Sequence, residues 1–183
     1  MNTRLNELRS QIGNIDREIV AALAQRSRFG CSARPVPAAA TARTDDLLAA
    51  RIQTEYARVV TEKFPVCADG SKAGAACEAA DRTVLDALRR RMRVALEIAR
   101  AKAAGQTPHF RALVAARDTA GLERAITQPA IEEQVIARAL TAARELCVDG
   151  LSANFPDTVA AIFRDGIIPL ARRIQVEALL DGK

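Results

Sequence analysis

The chain has no tryptophan, one tyrosine and one histidine, and aromatic residues make up only 3% of its 183 positions. Base stacking of the kind single-strand nucleic-acid binders use is therefore poorly supplied. The sole imidazole is His109, and the four cysteines, Cys31, Cys67, Cys77 and Cys147, include no CxxC pair. A Cys/His zinc site has little to be built from, and no metal is expected. No apolar run approaches the roughly 20 residues of a membrane span, and strand-like alternation is absent almost everywhere. Met1 to Arg9 reads as a polar-flanked amphipathic helix, not as the apolar core of a signal peptide. The expectation is a cytoplasmic protein with reduced thiols. The alternative is an exported (periplasmic) protein whose leader has been removed, with Cys67 and Cys77 paired across the loop-like ADGSKAGAA.

What the chain does have is the material of packed helices: 49% hydrophobic residues, much of it alanine, together with Leu, Arg and Glu. Its formal net charge is +5, from 27 Lys and Arg against 22 Asp and Glu. The cations are dispersed along helical segments, not massed in a tail, which favours small anionic ligands over nucleic acid or a membrane surface.

Helical periodicity orders the chain. Leu5, Leu8, Ile12, Ile15, Ile19 and Leu23 predict a helix from about Thr3 to Phe29, ended by Gly30 and a Pro35/Pro37 loop. A second helix is expected from Thr44, as N-cap, to Glu62. The Pro/Gly/Asp/Ser-rich stretch from Phe64 to Gly74 is the best linker. Beyond it the pattern predicts a long helix ending near Gly105, a short one from Phe110 to Ala125, one from Ala130 to Val148, and one from Pro156 to Leu180. The last is capped by Asn154 or Asp157 and kinked at Pro169. The fold class is all-α.

Two cations interrupt this pattern. From Asp81 to Ala104 the inward series reads Val84, Leu88, Arg91, Ala95, Ile98, Lys102, each step three or four residues, so Arg91 and Lys102 share the apolar face. An unpaired buried cation costs several kcal/mol, on the scale of a domain's net stability. These two call for carboxylates such as Glu97, Glu132 or Glu133, for snorkelling stems, or for a small anion held between helices. An internal repeat accompanies them, because Asp16 precedes Arg26 by ten residues just as Asp81 precedes Arg91.

The series Leu8-Arg9, Ile12, Ile15-Asp16, Ile19-Val20, Leu23 and Arg26 resembles the first helix of the all-helical (type II) chorismate mutases. DRTVLDALRRRMRVALEIARAK looks like a second copy of it, with Arg91 and Lys102 at the family's spacing. IFRDGIIPLARRIQ resembles the family's last helix, which places its catalytic amide or acid at Gln175, with Ala171 one turn earlier. RDTAGLER resembles its short helix, which puts Arg117 and Asp118 at the substrate; an alternative register brings Arg111 there instead. The resemblance implies a duplicated helical bundle with a degenerate half at 1–63, a linker at 64–79 and a half at 80–183 that carries most of the site.

It further implies a cofactor-free rearrangement of chorismate to prephenate, in aromatic amino acid biosynthesis. Arg91, Lys102 and Gln175 would be catalytic, with Arg9, Arg117 and Asp118 binding substrate. The second copy has Gly74 where the first has Arg9, so the first copy would lend Arg9 to a single site within one chain, an internal pseudo-dimer. A homodimer supplying Arg9 from the partner is the rival arrangement. Isochorismate–pyruvate lyase or aminodeoxychorismate mutase chemistry on the same scaffold, or an inactive module that binds a pathway enzyme, are the alternatives in function.

Overall fold

The computed structural model describes residues 2–31, 45–64, 74–104, 108–147 and 151–181. Among these there is no strand, and the helices are α1 (Asn2–Arg28), α2 (Asp45–Lys63), α3 (Gly74–Ala104), α4 (Pro108–Ala115), α5 (Thr119–Ile126), α6 (Pro129–Leu146), α7 (Phe155–Ile162) and α8 (Ile168–Leu180). A π-helical turn, Phe163–Ile167, joins the last two. The all-α expectation holds. The expected N-cap Thr44, together with Pro35, Pro37 and Cys67, lies outside the described residues.

The axis of the molecule is the antiparallel pair α1 and α3. Arg4 meets Glu97, Asp16 meets Arg91, Glu18 meets Arg90 and Arg26 meets Asp81, partners descending along α3 as they rise along α1. Around this pair one apolar cluster draws on α1, α2, α3, α6, α7 and α8, including Leu8, Ile19, Leu23, Ile52, Val84, Met92, Phe155 and Phe163. A smaller cluster, Ala99, Leu122, Ile126, Val176 and Leu179, ties α5 to the far ends of α3 and α8.

Three sequence expectations need correction. Residues 74–79, read as the end of a linker, are the first turns of α3. The helix expected from Phe110 to Ala125 is two helices, because Arg117 takes a left-handed φ of 50° and Asp118 caps α5 by accepting from the Gly121 amide at 2.8 Å. Cys77 is bonded to Cys31 and not to Cys67, so the expectation of reduced thiols fails for this pair, while Cys147 is free.

Local chemistry explains that disulfide. Gly30, at φ 59°, ends α1 in the left-handed conformation, with Cys31 N donating to Arg26 O and Gly30 N to Ser27 O. This C-terminal wrap turns Cys31 back toward the start of α3. The bond closes a loop with a sequence separation of 46, worth about 4 kcal/mol in the chain-entropy account. Cys31→Ser should lower the melting temperature by many degrees, as should adding reductant to the native chain. Identical melting curves with and without reductant would contradict this.

Pro169 behaves as its chemistry requires. It has no N–H for the carbonyl of Asp165, and Arg58 Nη2 donates to that carbonyl instead, at 3.0 Å. The deviation from α geometry is placed just before the proline, in the π turn, where Gly166 lets α2 approach. A Cβ there would lie 2.6 Å from Val59 Cγ2. Asn154 occupies the N-cap position of α7 without a side-chain bond, and Asp157 sits in the first turn.

Candidate active site

Arg91 projects from the middle of α3 and is buried, with its Nε donating to Asp16 Oδ1 at 2.7 Å. Its partner is thus the repeat's own aspartate, not Glu97, Glu132 or Glu133. Burial pushes the Asp16 carboxyl above its ordinary value, while Arg91 and Arg138 pull it down. The second oxygen of Asp16, Oδ2, is buried with no hydrogen-bond partner, so the carboxylate is committed to fixing Arg91 and little else.

The mirror pair is Arg26 with Asp81, at 2.9 Å. There Tyr56 also donates its hydroxyl to Asp81 at 2.5 Å, and the guanidinium lies over the Phe64 ring at 5.0 Å. Burial and the Asp81 carboxylate raise the Tyr56 phenol well above its ordinary value, so it stays protonated and packs in the main apolar cluster.

One end of the α1–α3 pair opens into a cavity of about 120 Å³ bounded by α1, α3, α6 and α8. At about 30 Å³ per water that is room for about four waters, near the roughly 150 Å³ of a cavity that holds a benzene-sized ring. Arg9, Arg91, Lys102 and Gln175 all line it. The structure therefore brings together four of the six residues singled out from the sequence. Lys102 Nζ donates to Ile126 O at 3.0 Å, an unpaired carbonyl at the C-terminal end of α5. Burial chiefly, and then Arg9, depress the Lys102 pKa from its ordinary 10.5, with Glu132 opposing. Gln175 Nε2 donates to Ala95 O at 3.0 Å, and Arg9 Nη2 to Gln128 Oε1 at 3.3 Å.

Arg117 and Asp118 do not line the cavity. Arg117 is an exposed turn residue and Asp118 is spent on the α5 cap. The alternative Arg111 is exposed on α4 and absent from the lining as well. The carboxylate that does face the cavity is Glu132, with Gln128, Arg138 and Arg172 also lining it. The missed signal was available: Gln128, Glu132, Val135 and Ala139 step by four, three and four, starting at Pro129, a residue suited to a helix N-terminus. Arg172 Nε lies 3.3 Å from Glu132 Oε1, which ties α8 to α6 across the cavity.

Arg9, Arg91, Lys102, Arg138 and Arg172 face a single lining carboxylate, Glu132. In charge and donor content such a cavity in an all-helical bundle matches a small polyanion. Residues 75–176, more than half of the chain, match the family profile described as chorismate mutase type II, and the chain belongs to that family. A chorismate mutase of Schizosaccharomyces pombe is 31% identical over 102 residues, which cover 52% of this chain and 41% of that enzyme. One from Saccharomyces cerevisiae is 28% identical over 101 residues, 52% of this chain and 40% of the enzyme. The match thus spans about two fifths of the length of these relatives. The crystal structure of Aro7p chorismate mutase from Candida albicans, in complex with L-Trp, superposes with a TM-score of 0.79 at 18% identity, covering 97% of this chain and 91% of that one. The shared fold thus extends through α1 and α2, beyond the part matched in sequence.

Proposed function

We propose that the chain catalyses the Claisen rearrangement of chorismate to prephenate in the cavity described above. The observation that carries this reading is the convergence of Arg9, Arg91, Lys102 and Gln175 on one cavity. The substrate is a dicarboxylate whose reaction is intramolecular and needs no group from the protein in the bonds that change. Catalysis then consists of holding the compact chair conformer and meeting charge that develops on the breaking ether oxygen.

In this reading Arg91, locked by Asp16, grips one carboxylate with its free guanidinium edge, and Arg9 takes the other. Lys102, anchored through one proton on Ile126 O, keeps two protons to offer the ether oxygen. Gln175 offers its amide from the α8 side. Glu132 takes the part expected of Asp118, accepting from the substrate hydroxyl while Arg172 holds it in place. Arg9 reaches the cavity from the same chain, which supports the internal pseudo-dimer over a site shared between two copies. The Cys31–Cys77 bond favours the exported alternative over the cytoplasm. Among the described residues no helix is long and apolar enough to cross a membrane.

Gln175→Glu tests the donor role. A carboxyl donates only while protonated, so turnover at neutral pH should fall by about tenfold or more and recover as pH drops toward the carboxyl's own pKa. The native enzyme should show no such acid recovery. A pH profile of Gln175→Glu parallel to the native one would remove Gln175 from the reaction.

A further inference from the structure

On the outer side of the same helices lies a second hollow, an open groove of about 670 Å³ between α1 and α6. Arg9 and Arg138 line both the groove and the cavity, so the two share a wall of guanidinium groups. Arg17, one turn beyond Gly13 on α1, adds a third cation, against one carboxylate in the lining, Glu145. Among the described residues none of these three arginines is in an ion pair. Arg9 donates to Gln128, Arg17 donates to Asn14, and Arg138 acts on Asp16 through its charge alone. The groove floor is kept open by Gly13, where an added Cβ would meet no atom within 4 Å.

We propose that the α1–α6 groove is a carboxylate-binding subsite that captures the dianionic substrate outside the cavity and hands it on past Arg9 and Arg138. The inference rests on the reading of the cavity given above. Uncompensated cations in a concave surface focus the field and raise the local concentration of anions. Charges at such a rim set the rate of capture and its salt dependence more than the chemistry inside. The ligand class is small carboxylates, held by guanidinium pairs with Ser10, Asn14 and Thr141 available for hydrogen bonds.

The test uses the full chain and two readouts. In the first, a bicyclic dicarboxylate mimic of the transition state is titrated into isotope-labelled protein past saturation of the cavity. Amide shifts at Ser10, Gly13 and Thr141 should continue to move after those of the cavity have stopped. Arg17→Gln and Gly13→Leu should abolish this second phase. A Cβ at 13 meets no atom within 4 Å and leucine raises helix propensity, and an unchanged melting temperature of Gly13→Leu separates loss of the groove from a folding defect. In the second, Arg17→Gln should raise KM about threefold at low ionic strength, more than it lowers kcat, with the difference gone near 0.5 M salt.

Turnover of chorismate by the native chain with no second phase, and no salt-dependent KM change, overturns the groove and leaves the proposed reaction standing. A second phase in a chain that does not turn chorismate over establishes the groove and overturns the reaction. Absence of both overturns both.

Discussion

Lys102→Ala is expected to lower chorismate turnover by about 10²–10³-fold, the usual loss when a donor to a developing oxyanion is removed, while the melting temperature holds steady or rises. The two outcomes follow from one environment. Lys102 carries a depressed pKa because burial and Arg9 disfavour its charged form. In the folded chain, removing that ammonium relieves a cost and vacates only one bond, to Ile126 O. In the proposed reaction its contribution therefore lies in the transition state, where an anionic oxygen appears. The same depression gives a pH signature. The rate should decline with rising pH before the ordinary lysine value of 10.5 is reached, because the neutral amine no longer supplies charge. Parallel losses of stability and rate in Lys102→Ala would instead identify a structural ion pair.

The second large effect comes from the two reciprocal pairs, which have nearly the same chemistry and different surroundings. Asp81→Ala removes the carboxylate facing Arg26 in a site where the side chain is 1% exposed, and leaves the Tyr56 hydroxyl without that acceptor. A loss of about 3–5 kcal/mol is expected, as for other half-broken buried pairs, with kcat nearly unchanged once the protein is folded. Asp16→Ala strands Arg91 in the same way and should cost a similar amount. Here, however, the freed guanidinium lines the cavity and in the proposed reaction grips substrate, so kcat/KM should also fall by at least about a hundredfold. Denaturant unfolding and steady-state kinetics on both variants separate the two consequences. Equal kinetic losses in Asp16→Ala and Asp81→Ala would mean that neither pair is specific to the site.

Much of this arrangement was legible in the sequence because it depends on spacing along single helices. The period of three or four residues from Val84 to Lys102 fixes which face of α3 meets the interior, and the ten-residue Asp-to-Arg interval is the same in α1 and α3. Antiparallel packing turns that repeat into the crossed pairs Asp16–Arg91 and Arg26–Asp81. The spacing alone could not say that each aspartate serves the other copy's arginine. The errors came where the chain leaves the helical period. Arg117 at φ 50° breaks a run that reads as continuous helix, since nothing in its residue type demands a left-handed turn. Once that break is missed, Asp118, which caps α5, is expected at the cavity that Glu132 of α6 lines instead. The Cys31–Cys77 bond escaped for a related reason. Its partners are brought together by the wrap at Gly30 and the antiparallel register, neither of which a spacing between cysteines reports.

The most direct test is to supply the purified native chain with chorismate alone and follow its loss together with the product formed. The account predicts conversion to prephenate far above the uncatalysed rate, with no added metal or cofactor, inhibited by a bicyclic dicarboxylate mimic and lost in Lys102→Ala. Chorismate that disappears no faster than in buffer, or a product other than prephenate, would contradict it.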